Sequence, residues 1–174
     1  EQRRKQHVEF ARQQTWGHRV DDLVTAAANL PKQRVAVIIV TWNSVELSKR
    51  CVLSVINDPL APELDVIIVD NASTDATPAW LDEIEQDPSV RIIRNQDNLG
   101  FAAACNQGLA AGAERDADML VILNNDIVVT PGWAATMLRH MKHDPSIGLI
   151  GPVTNNIGNE AKIDTAYEDL EQMQ

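Results

Sequence analysis

The stretch RVAVIIVTWNS, residues 34–44, decides the fold. From Val35 to Val40 every residue is apolar and most are β-branched. No polar alternation is present to wet one face, so the run reads as a strand, Arg34–Val40, buried on both sides. Strands of that kind belong to parallel sheets covered by helices on each face. Thr41, Trp42, Asn43 and Ser44 then interrupt the apolar run. Helical spacing follows over Val45–Asn57, with Asn43 or Ser44 as N-cap and Glu46 in the first turn, where the helix dipole favours an acid.

The same alternation repeats toward the C-terminus. DVIIV, residues 65–69, is a second buried strand ending at Asp70, and Ser73 or Thr74 caps a helix over about 75–86. VRIIR at 90–94 is a third strand, followed by an Ala-rich helix over Phe101–Ala113. MLVIL at 119–123 is a fourth strand. Pro131 opens a helix that runs to His143. Ile147–Val153 is expected as a fifth strand and 160–172 as a helix. Toward the N-terminus, residues 1–30 read as helix, closed by Pro31. The expected division is thus a helical segment, 1–32, before an α/β domain, 33–174. Repeated strand–helix–strand units imply a Rossmann-like, mostly parallel sheet with helices on both faces.

Bulk properties narrow the function. The chain has 174 residues, 44% hydrophobic and 23% charged, enough for one globular core. Its 15 basic and 25 acidic residues give a net charge of −10, a poor balance for binding nucleic acid. No apolar run reaches the roughly 18 residues that span a bilayer. The two cysteines, Cys51 and Cys105, have no metal-site spacing and read as buried free thiols. With no signal peptide visible, a reducing, cytoplasmic setting is expected. A first residue that is not Met points to a piece of a longer protein.

In open parallel sheets, ligands bind beyond the carboxyl ends of the strands. Those ends carry Thr41, Trp42 and Asn43; Asp70 and Asn71; Asn95, Asp97 and Asn98; and Asn124, Asn125 and Asp126. Asn and Asp favour turns in any case, but four such clusters on one edge point to a site. The first strand–helix turn has no glycine, and neither G-x-G-x-x-G nor a P-loop occurs. A phospho-receiver's paired acids are missing too. A nucleotide held without a glycine loop remains, its diphosphate met by Mg²⁺ or Mn²⁺ on Asp126, with Asn124 and Asn125 adding amide groups.

Four motifs occur in order: VAVIIVTWNS at 35–44, VIIVDNASTDAT at 66–77, NQDNLGFAAACNQG at 95–108 and VILNNDIVVTPGW at 121–133. Together they resemble a family 2 glycosyltransferase of the GT-A fold, in its rhamnosyltransferase-like subgroup. The resemblance implies that Thr41, Trp42 and Asn43 line the base and ribose pocket, with Trp42 stacking. The other reading of Trp42 is a core tryptophan. It implies that Asp70 accepts hydrogen bonds from base or ribose, and that Asn98 and Gly100 shape the loop near the diphosphate. Asn106 would face the donor or be a satisfied buried amide. Asn124-Asn125-Asp126 matches the family's Asp-x-Asp metal motif, with Asn in place of the first Asp.

The implied reaction transfers a sugar, with inversion, from a nucleoside-diphosphate sugar to a saccharide or lipid-linked acceptor hydroxyl. The general base remains unassigned: Glu168-Asp169 has the family's letters, but its helical pattern reads as a solvated face, and the base is expected beyond Gln174. ARQQTWGHRVDDLV, 11–24, resembles the closing helix of a GT-B domain. That implies a tandem enzyme of cell-surface polysaccharide synthesis, with peripheral membrane association of the parent. A non-catalytic nucleotide-sugar-binding or scaffolding module is the alternative. A nucleotidyltransferase is disfavoured by TWNSVE in the first loop.

Overall fold

The computed structural model describes residues 33–152 and, outside that span, only positions 20 and 164. The chain forms two units, 1–32 and 33–174, and the described span belongs to the second. Its elements are β1 (Arg34–Thr41), α1 (Val45–Ile56), β2 (Glu63–Asp70), α2 (Thr77–Ile84), β3 (Val90–Arg94), α3 (Phe101–Ala113), β4 (Met119–Asn124) and α4 (Trp133–His143). The four strands are all parallel, in the order β3-β2-β1-β4.

The continuous apolar runs are buried on both sides, and successive residues serve opposite layers. Val35, Val37 and Ile39 of β1 pack with Val66 and Ile68 of β2 under Cys51, Val52 and Val55 of α1, Trp80 and Leu81 of α2, and Ala134 and Leu138 of α4. Ala36, Ile38 and Val40 face the other way, with Ile67 and Val69, under Ala104 and Cys105 of α3. The chain is therefore an α/β layered fold with helices on both faces, as its strand pattern implies.

Helix α3 lies close on the sheet because its buried stripe is small: Ala104, Gly108 and Gly112, each four residues apart. At Gly108 a β-carbon would run into Ile38, and at Gly112 it would stand 3.0 Å from Ala36 Cβ. The amino ends of the strands are clamped by charge. Arg91 of β3 makes two bonds, 2.8 and 2.6 Å, to the buried carboxylate of Asp65 on β2, and a third to the Ala111 carbonyl at the end of α3.

Three local expectations are corrected. Residues 147–152 form no strand: Ile147 N–H closes a turn onto the Asp144 carbonyl, and Leu149 is 93% exposed. None of its described apolar residues joins either core layer, and Gly148 and Gly151 disfavour extended pairing. Helix α1 is not capped by the side chain of Asn43 or Ser44. Ser44 is left-handed, φ 60°, and offers only its carbonyl. Helix α2 starts at Thr77, and neither Ser73 nor Thr74 caps it. One carboxylate serves both helices instead: Asp75 Oδ2 accepts the Val45 N–H at 3.2 Å, and Oδ1 accepts the Thr77 N–H at 2.9 Å. The helices expected at 1–30 and 160–172, and the pair Glu168-Asp169, lie outside the described residues.

Candidate functional site

The strand register aligns the carboxyl ends. Thr41 pairs with Asp70, Asp70 with Arg94, and Val40 with Asn124. Beyond that edge a cleft of about 360 Å³ opens, with Trp42, Leu47 and Phe101 as its apolar wall and Asn71, Asn98, Asn124, Asn125 and Asp126 as its polar one. Trp42 is 57% exposed, so it is not a core tryptophan. Among the described residues that line it there is no Lys or Arg, and Asp126 is the only carboxylate. A larger cleft, about 500 Å³, lies at the opposite edge around Arg34, Glu63, Asp65 and Arg115. Its charges are spent on one another: Arg34 pairs with Glu63 at 2.6 Å, and Arg115 with Asp65 at 3.6 Å.

Of the residues expected at the site, Trp42, Asn98, Asn124, Asn125 and Asp126 meet at the first cleft. The other five do not line it. Thr41 is fully buried, its hydroxyl bonded to Ser48 Oγ at 2.7 Å. Asn43 Oδ1 accepts the Thr74 and Asp75 N–H groups at 2.8 and 3.3 Å, which ties the first strand–helix loop to the second. Asp70 is buried at the end of β2, and its Oδ1 accepts the Ser73 N–H at 3.1 Å. Gly100 opens α3 at φ +82°, a conformation that suits glycine. Asn106 lies exposed on α3.

Asn71 shapes the loop before α3. Its Nδ2 donates to Asn98 Oδ1 at 2.7 Å, and its Oδ1 accepts the Leu99 N–H at 3.0 Å and Asn95 Nδ2 at 3.1 Å. Asn95 and Gln107 exchange a reciprocal amide pair at 2.9 and 3.0 Å. With Asn98 Oδ1 held twice over, by Asn71 and by the Gly100 N–H, this loop has a fixed shape without a ligand.

Helix α1 holds the loop after β4 in a comparable way. Ser48 accepts from Asn125 Nδ2 at 3.0 Å, and the Cys51 thiol donates to the Asn124 carbonyl at 3.3 Å. Ser54 accepts the Val129 N–H at 3.1 Å, and Asp58, just past the helix, takes the Gly132 N–H at 2.9 and 3.0 Å. Burial pushes the Cys51 thiol up to about 11; nearby Asp126 adds to the rise and a backbone bond at Ile127 opposes it. Cys51 is thus a neutral packing group at ordinary pH.

The family model of glycosyl transferase family 2 matches residues 36–172. The chain belongs to this family. Its relatives include the undecaprenyl-phosphate mannosyltransferase of Micrococcus luteus, 38% identical over 53% of this chain and 38% of that protein. The N-acetylglucosaminyl-diphospho-decaprenol L-rhamnosyltransferase of Mycobacterium tuberculosis is 30% identical over 52% of this chain and 31% of its own length. The chain thus spans less than two fifths of either relative. Among solved structures, the Pyrobaculum calidifontis mannosyltransferase PcManGT, in complex with GDP-Man and Mn²⁺, is 29% identical, with a TM-score of 0.53 over 68% of this chain and 35% of that one. S. aureus TarS 1–349, in complex with UDP-GlcNAc, shares the fold at a TM-score of 0.57 and 15% identity, over 70% of this chain and 38% of that one.

Within this glycosyltransferase domain, sequence reading missed Ser48, Ser54, Asp58, Asp75 and Gln107 as supports of the cleft. Ser48 alone left a trace: it is a polar residue on the helical stripe that also carries Cys51, Val52 and Val55. The others sit at ordinary solvent-side or loop positions in the sequence, and only the tertiary pairing gives them a role.

Proposed function

We propose that this domain binds a nucleoside-diphosphate sugar at the carboxyl edge of the sheet and transfers the sugar, with inversion, to a saccharide or lipid-linked acceptor hydroxyl. The observation that carries this reading is an exposed tryptophan, Trp42, facing the same cleft as Asn124, Asn125 and Asp126. Trp42 offers a stacking face for a base. Asp70, buried behind the cleft, holds the Ser73 N–H in the loop after β2. The loop fixed by Asn71 and Asn98 borders the diphosphate.

A diphosphate carries negative charge into a cleft that has no basic side chain among the described residues, and a cation accompanying it would offset that charge. The donors present fit Mg²⁺ or Mn²⁺: the Asp126 carboxylate and neighbouring amide oxygens are hard oxygen ligands, and such ions are commonly held by one or two carboxylates plus substrate phosphates. Among the described residues no group of three His, Cys, Asp or Glu could hold a metal alone, which matches an ion bound jointly with the donor. When bound, the ion would neutralise the charge of the departing diphosphate. Asp126 would be the carboxylate that holds it. The acceptor hydroxyl needs a carboxylate base, and none besides Asp126 lines the cleft among the described residues.

That single carboxylate also suits a module that binds the donor without transferring it, and turnover by the full-length protein separates the two. Among the described residues no helix is long and apolar enough to cross a membrane. The role in cell-surface polysaccharide synthesis, with a cytoplasmic setting and peripheral membrane association, is part of the same proposal. The test is calorimetric titration with a panel of nucleoside diphosphates, with and without Mn²⁺, on the wild type and on Asp126→Ala. One nucleotide binds only with Mn²⁺, and the variant loses at least tenfold in affinity. Binding indifferent to both Mn²⁺ and Asp126 would sink the reading.

A further inference from the structure

Beneath the cleft runs a chain of three hydrogen bonds, from Asn125 through Ser48 and Thr41 to the Asn43 carbonyl. Thr41 Oγ1 lies 3.3 Å from the Asn43 carbonyl, which can only accept, so that contact is a hydrogen bond only when the Thr41 hydroxyl donates to it. Ser48 Oγ is 2.7 Å from Thr41 Oγ1. When the threonine proton is spent there, the serine proton is the one that lies between the two hydroxyl oxygens. Ser48 therefore has only lone pairs left for Asn125, 3.0 Å away, and the Asn125 atom that meets it must be the NH₂ group. Amide ends are interchangeable in shape. Only the order with NH₂ inward uses all three contacts at once, and that order sets the amide.

Thr41 and Ser48 are both fully buried, so water does not compete along the chain. Asn125 is half-buried and lines the cleft beside Asp126. With Nδ2 turned inward, its Oδ1 has no hydrogen-bond partner among the described residues. We propose that Ser48 is a positioning residue: it fixes the Asn125 amide so that an oxygen acceptor, not a donor NH₂, is presented beside the Asp126 carboxylate. That placement yields one carboxylate and one neutral oxygen side by side, suited to a divalent cation or a sugar hydroxyl and unsuited to a bare anion. The functional half of this inference rests on the donor-site reading above; the hydrogen-bond half does not.

The test uses the whole chain, ¹⁵N-labelled, with Ser48→Ala, Ser48→Thr and Thr41→Val. The side-chain NH₂ signals of Asn125 are assigned by their loss in Asn125→Asp. They should exchange slowly with water in the wild type and in Ser48→Thr, and quickly in Ser48→Ala. Thr41→Val frees the serine proton to donate to Asn125 Oδ1 instead, so protection falls there too, although Ser48 is intact. With UDP and GDP as probes in the presence of Mn²⁺, Ser48→Ala should weaken binding about five- to tenfold, the worth of one oriented hydrogen bond, and Ser48→Thr should restore it. Unchanged protection in Ser48→Ala overturns the proposal, and so does unchanged affinity. If protection follows the expected pattern but neither nucleotide binds the wild type, the relay stands and the donor reading falls.

Discussion

Replacing Gly108 by Ala sets two opposed effects against each other, and the structure decides the sign. In a helix interior Gly→Ala ordinarily gains about 1 kcal/mol, because alanine has less backbone freedom to lose. In α3 the added methyl would run into Ile38 Cγ2 and stand 3.1 Å from Cγ1 and 3.3 Å from Cβ of the same residue. Ile38 is fully buried and its strand is paired on both sides, so neither side chain nor backbone can step aside. Overpacking of this kind costs about 1–3 kcal/mol. Contact reaching the root of a β-branched side chain belongs at the upper end, which leaves a net loss of about 2 kcal/mol, or roughly 4–8 °C in Tm at this chain length. Urea unfolding followed by circular dichroism should show a lower midpoint at unchanged slope. In an Ile38→Ala background both γ-carbons are gone, and the same substitution should stabilise. A neutral or favourable Gly108→Ala in the wild type, or an equal loss in both backgrounds, would refute the close-packing argument.

Arg91→Met leaves the buried Asp65 carboxylate with only Arg115, at 3.6 Å, and should cost about 3–5 kcal/mol in urea unfolding; adding Asp65→Asn should recover part of it, and a loss below about 1 kcal/mol would show that the clamp is dispensable. The Cys51 thiol, raised by burial to about 11 from its ordinary 9.0, holds its proton more tightly in the fold. Its contribution is therefore complete below pH 9 and declines as pH rises through 11, by about 2–3 kcal/mol. Urea midpoints measured from pH 8 to 11 should fall more steeply for the wild type than for Cys51→Ala, and parallel curves would contradict the assignment. Trp42→Ala removes an exposed side chain, so stability should change by no more than about 0.5 kcal/mol. Nucleotide affinity, in contrast, should drop roughly tenfold by calorimetry, and an unchanged affinity would remove Trp42 from the site.

The layered fold was legible because β1 and β2 are apolar on both faces, which only a doubly covered sheet explains. Family membership was legible for a related reason: four short motifs punctuate four strand ends in a fixed order. Ile147–Val153 misled because apolar letters were counted without a partner to bury them. The caps misled because Ser44 and Ser73 are good cap residues in isolation, whereas Asp75 serves both helices, α2 from two residues before it and α1 from a different loop. Asn43 and Asn71 were visible as polar residues at the right edge. That their side chains tie one loop to the next could not be read from spacing, since their partners lie about 30 residues along the chain.

The strand order also dictates how this sheet must assemble in time. Strand β1 meets β2 across a separation of 29 residues but meets β4 across 84. Closing the longer loop costs roughly 1 kcal/mol more in chain entropy, and nothing repays it until β1 already exists as a template. The β1–α1–β2 unit is thus the natural nucleus, and β4 docks afterwards, bringing Asn124, Asn125 and Asp126 to the edge last. A chain caught midway would hold its packed half without its binding groups. Substitutions in β4 should therefore hasten unfolding while leaving the folding rate nearly unchanged.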